Sequence, residues 1–166
     1  MSGSIWIFVL LGVALASLIF VGFRYAQPEF PPLETKPDDP LLLEAMQHAR
    51  ASLAEFNARL ADAPRDAIVK LRYVSDTGSV EHLWAEVLER KADGSYRARL
   101  ASRPVTQKGP LDPETICDID EIEDWQVRDA DGGIYGAFSQ RAMFQIARRD
   151  GVKLPKKLAE LEKFYR

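Results

Sequence analysis

The side chains of this chain that could carry out a reaction are few. There are two histidines, His48 and His82. His82 lies in Glu81-His82-Leu83-Trp84-Ala85-Glu86, where a strand would put Glu86 on its own face. That is the arrangement of a general acid–base pair. The carboxylates Asp118, Asp120, Glu121, Glu123 and Asp124 offer hard oxygen ligands of the kind calcium and magnesium take. The EF-hand spacing fails there, because Ile122 stands at the third ligand position and no glycine follows. If the segment curls into a helical turn, its carboxylates become a solvated side. Ile122 and Trp125 would then turn inward while Glu123 and Asp124 face water.

Cys117 is the single cysteine. A reactive thiol needs electropositive surroundings. Its neighbours are acidic, so its expected role is that of a small core residue. One cysteine also excludes an intrachain disulfide and a cysteine-based zinc framework. No HExxH pair, phosphate-cradling glycine loop or G-x-S-x-G elbow is present. No catalytic constellation emerges, and no cofactor or metal is expected.

A binding surface is the richer prospect. Period-two alternation over three strand-like segments, Ala67 to Val74, Val80 to Arg90 and Ser95 to Ala101, separates two faces. Val69, Leu71, Tyr73, Leu83, Ala85, Val87, Tyr96, Ala98 and Leu100 form the apolar one. Lys70, Arg72, His82, Trp84, Glu86, Arg97 and Arg99 form the other. Arg72, His82, Trp84, Arg97 and Arg99, with Trp125 nearby, are the candidate ligand-binding residues, since cations and a tryptophan can meet an anionic or flat group. The plainer reading is a charged sheet face in which Glu86 pairs with arginines across the strands.

The elements that position these residues follow from punctuation. Asp76-Thr77-Gly78-Ser79 and Ala92-Asp93-Gly94-Ser95 are turns, so the three strands make a meander. Before them, Asp39-Pro40 starts a helix whose stripe runs Leu42, Met46, Ala49, Leu53, Phe56 and Leu60 and which Pro64 ends. After them come a Pro- and Gly-rich loop, a short strand over Thr115 to Ile119, and a turn at Asp129 to Gly133. A last strand over Ile134 to Phe138 follows, then a helix capped by Ser139 and a second one opened by Pro155.

Upstream, residues 5–23 form an uncharged apolar run of 19 residues. As a helix it would cover about 28 Å, close to a bilayer's hydrocarbon core. Met1 to Ser4 lacks the basic start of a signal peptide, so an uncleaved anchor is expected. Residues 1–25 are read as a transmembrane anchor contacting the lipid bilayer. Residues 26–39, rich in proline, are read as a tether, and residues 40–166 as one domain. Arg24 and Lys36 follow the run, which favours the domain on the cytoplasmic side. A net charge of −3, with no basic run, gives no reason to expect nucleic acid.

The ordered set Glu81 to Glu86, then Ile122-Glu123-Asp124-Trp125, then Gly133-Ile134-Tyr135-Gly136-Ala137-Phe138 with Arg141, resembles the DUF2314 (YegJ-like) family of bacterial proteins of unknown function. The resemblance covers about residues 38–164. It implies a compact α+β domain whose antiparallel sheet is SH3-like or otherwise strongly bent, and it carries no catalytic assignment. The expected architecture is therefore an N-terminal transmembrane helix, then such a sheet packed with an N-terminal helix and two short C-terminal helices. The expected function is a non-enzymatic binding or accessory module, single-pass in the bacterial inner membrane, with a protein partner. The alternatives are an immunity-like protein that neutralises a toxin, or an enzyme of unrecognised type using His82.

Overall fold

The computed structural model describes residues 39–62, 66–101 and 103–166. The expected anchor and all of the tether except Asp39 lie outside the described residues, as does Pro64. Among the described residues no helix is long and apolar enough to cross a membrane.

The chain enters helix α1 (Pro40–Ala51) through Asp39, whose carboxylate accepts the Leu41 N–H at 3.0 Å. Pro40 takes the first helical position, where a missing N–H costs nothing. The expected single helix is two. It breaks at Ser52 and resumes as α2 (Leu53–Asp62). The apolar stripe survives the break: Ala49, Phe56 and Leu60 are buried and Leu42, Met46 and Leu53 partly so, with Ala45 buried beside them. Ser52 has a reason to interrupt: its hydroxyl accepts the indole N–H of Trp125 at 3.0 Å and donates to the His48 carbonyl at 2.8 Å. A wholly buried tryptophan needs such an acceptor.

Strands β1 (Ala67–Val74), β2 (Val80–Arg90) and β3 (Tyr96–Leu100) form the expected meander. Val69 stands opposite Ala85, Leu71 opposite Leu83 and Val87 opposite Ala98, so the apolar face is the one that alternation predicts. Next come β4 (Glu114–Cys117), a 3-10 turn (Ile119–Glu121), β5 (Ile122–Arg128) and β6 (Ile134–Gly136). The six strands pair antiparallel in the order β4-β3-β2-β1-β5-β6. In a flat sheet β4 and β5 would lie about 19 Å apart. Only residues 118–121 join them, three in the tight 3-10 turn, a link reaching roughly 10–15 Å. The sheet therefore curls. Register shifts at Lys70/Leu71 against β5 and at Val87/Glu89 against β3 are places where it can bend.

The segment Ile122 to Trp125 is thus a strand, not a helical corner, and Asp124 is buried rather than turned to water. Two inward residues remain: Ile122 and Trp125 are both in the core. Phe56 and Phe138 pack on the Trp125 indole with centroids at 5.6 and 5.9 Å, and Tyr96 lies 5.8 Å from Phe56. The C-terminal part is α3 (Phe138–Arg149), α4 (Lys156–Leu161) and a 3-10 turn (Glu162–Phe164). Of these, α3 is a full 12 residues. It is tied to the start of α1 by Arg149, whose guanidinium meets both oxygens of Asp39 at 2.7 and 3.2 Å.

Candidate functional site

The helices meet the sheet through Leu53, Phe56, Leu60 and Phe138, all on the core side. The other face of β1 to β3 keeps its side chains partly or fully exposed. Cross-strand neighbours there are Lys70 and Trp84, Arg72 and His82, Ile68 and Glu86, and Glu86 and Arg99. Trp84 is partly buried and Arg72 exposed. Alternation predicts this grouping for all of these positions except Ile68.

Two of the candidate cations are committed elsewhere. Glu114 of β4 accepts from Arg99 at 2.7 Å and from Arg97 at 3.1 Å, and Arg97 also reaches Glu89 at 3.3 Å. The Arg99 and Arg97 hydrogen bonds hold the Glu114 carboxyl below its usual range. His82 is engaged as well, but by Glu123 at 2.5 Å instead of Glu86. The cause is the irregularity between β1 and β5. Lys70 pairs with Asp124 and Leu71 with Ile122, so Glu123 is the extra residue and the bulge turns it toward β2. The sixth candidate, Trp125, does not join this surface. It lies opposite Val69 on the core side with no exposure.

Beside this face the curl of the sheet leaves a cavity of about 310 Å³. Arg50, Arg72, Asp120, Glu121 and Glu123 bring charge to it, and Leu71 and Ile116 supply apolar wall. Cys117 also borders it. Burial and the nearby Glu121 and Asp118 push that thiol up to about 11, so it stays protonated at neutral pH and is no nucleophile. Among the described residues no group of three or more His, Cys, Asp or Glu side chains is arranged to hold a metal ion.

The acidic-aromatic motif has a structural occupation that its sequence did not reveal. Asp124 is 1% exposed. Its carboxylate accepts four donors: the N–H groups of Trp125 (2.8 Å), Phe138 (3.1 Å) and Ser139 (2.7 Å), and the Ser139 hydroxyl (2.6 Å). It therefore caps α3 from a neighbouring strand, and Ser139 is a donor to the cap, not the cap itself. Burial raises the Asp124 carboxyl above its ordinary value, against those four hydrogen bonds. The chain reaches α3 through two left-handed residues, Gly136 (φ 73°) and Ala137 (φ 50°). A methyl group on Gly136 would stand 2.3 Å from the Trp125 carbonyl oxygen, so only glycine fits.

A pair of carboxylates organises the loop between β3 and β4. Glu81 accepts from Val105 N (2.9 Å), Thr106 N (2.8 Å) and the Thr106 hydroxyl (2.6 Å). Asp76 accepts from Lys108 N (3.0 Å) and Gly109 N (2.7 Å). The Thr106 hydroxyl lowers Glu81, and the Lys108 amide lowers Asp76. Sequence reasoning missed both roles, because the donors, backbone amides and the Thr106 hydroxyl, lie more than twenty residues away.

A family model described as "Uncharacterized protein conserved in bacteria (DUF2314)" matches residues 39–151, from the Asp39 cap to the glycine after α3. The chain belongs to this family. No curated protein and no solved structure matches it.

Proposed function

We propose that this DUF2314 chain is a non-enzymatic binding or accessory module. In this reading residues 5–23 hold it in the bacterial inner membrane, the tether spaces it from the bilayer, and the domain sits on the cytoplasmic side. The more open sheet face meets a protein partner, with Trp84 and Arg72 at its centre, His82 beside them, and Arg97 and Arg99 at its margin. The observation that carries the proposal is the asymmetry of the sheet. One face is filled by helices, while the other, which α3 touches where Lys70 donates to the Ser139 hydroxyl at 3.4 Å, presents a partly exposed tryptophan next to an arginine that no salt bridge engages among the described residues. Tryptophan and arginine are the side chains that most often carry binding energy at interfaces.

The strand order β4-β3-β2-β1-β5, with a 3-10 turn between β4 and β5, supports an SH3-like description of the bent sheet. The enzymatic reading of His82 has no such support. His82 is half exposed, its partner is Glu123, and it does not line the cavity.

The test places a photo-crosslinking residue at Glu86, two positions from Trp84 on the same face of β2, in the full-length chain in membranes. A discrete crosslinked protein that disappears in Trp84→Ala supports the surface. An adduct pattern unchanged by Trp84→Ala refutes it.

A further inference from the structure

Five charged side chains line the cavity at the curl of the sheet, and no ion pair joins any two of them. Arg50 comes from the last turns of α1, Arg72 from β1, Asp120 and Glu121 from the 3-10 turn, and Glu123 from the bulge of β5. Two are already engaged outside the cavity's own set: Glu123 by His82, and one oxygen of Glu121 by the Asp118 amide at 2.7 Å. The side chains of Arg50, Arg72 and Asp120 make no hydrogen bond or ion pair among the described residues. Regular elements fix the backbone under all five, so the two signs are held across a gap instead of closing on each other.

A ligand that bridges them must carry both signs. Three carboxylates oppose a purely anionic guest, and two guanidiniums oppose a simple cation. A divalent ion is disfavoured because no ligating trio converges among the described residues. A cavity of about 310 Å³ is at the lower end for small-molecule sites, too small for a nucleotide and ample for a short polar metabolite. Leu71 and Ile116 offer wall for a brief aliphatic side chain.

We propose that this cavity binds a small zwitterion of the amino-acid class. The guanidinium groups of Arg50 and Arg72 take its carboxylate, for which their planar forks are matched. Asp120 and the remaining oxygen of Glu121 take its ammonium. The site adds a small ligand to the binding module and shares only Arg72 with the partner face.

The test is calorimetric titration of the full-length chain with the standard amino acids, then with the N-acetyl and methyl-ester derivatives of the best binder. The zwitterion is expected to bind, and each blocked derivative to bind at least tenfold more weakly. Arg72→Gln and Asp120→Asn should each weaken binding at least tenfold while keeping the wild-type unfolding temperature, since both side chains are exposed. Absence of binding by every amino acid, or equal binding of a blocked derivative, overturns the proposal. Trp84→Ala separates the two readings: it should leave the zwitterion affinity unchanged while removing the crosslinked partner.

Discussion

Trp125 and Trp84 lie on neighbouring ladders of one sheet, and their surroundings are opposite. Around Trp125 every polar group has a partner. The indole N–H meets Ser52, the carbonyl accepts the Ala137 amide, and the adjacent Asp124 carboxylate is saturated by four donors. Around Trp84 the groups are partly unspent: Arg72 is exposed and without an ion pair among the described residues, and the indole is only partly covered. A buried carboxylate with all its valences filled from within the chain is an architectural device. A face with aromatic area and unclaimed charge is where another molecule can gain energy. The motif most suggestive of chemistry in the sequence is therefore the least available for it.

The comparison can be broken first at the corner. Gly136→Ala should cost more than about 4 kcal/mol or prevent folding, because the added methyl collides with the backbone of Trp125 at a left-handed position. Denaturant unfolding measures this, and a near-neutral result would mean that the corner is not rigid. Asp124→Ala should follow at about 3 kcal/mol, since it orphans the first amides of α3 and the Trp125 amide. Ser52→Ala removes the acceptor of the indole and should cost about 1–2 kcal/mol.

A smaller and local effect is expected in acid. Asp76 and Glu81 have folded-state values below their ordinary 3.8 and 4.5. The unfolded loop thus binds protons more readily, and the loop's stabilisation is complete above pH of about 4.5 and lost as pH falls below those values. Amide exchange at Thr106 and Gly109 should quicken as pH drops through that window, relative to amides of β2. Asp124, raised by burial, contributes with the opposite sign, so global unfolding would mask the loop.

Much of the fold was legible from periodicity. The meander, its faces and its turns follow from alternating residues and Asp-Gly signals, which are local. The break at Ser52, the bulge at Glu123 and the capping by Asp124 were not legible, because each answers a group distant in sequence: an indole 73 positions away, a register shift, and a helix 14 positions on. On the candidate surface, alternation placed Arg72, His82 and Trp84 together. It assigned no face to Trp125, which lies on the core side, and it could not see that Arg97 and Arg99 are claimed by Glu114, a residue of a strand whose pairing it could not assign.

The most direct test measures two quantities on two variants, Trp84→Ala and Trp125→Ala. Unfolding free energy and recovery of the species crosslinked through position 86 are read side by side. Trp125→Ala should lose about 3–5 kcal/mol, as a fully buried aromatic does. Trp84→Ala should stay within about 1 kcal/mol of wild type and lose the crosslinked species. Equal destabilisation by the two, or an undiminished adduct in Trp84→Ala, would contradict the account.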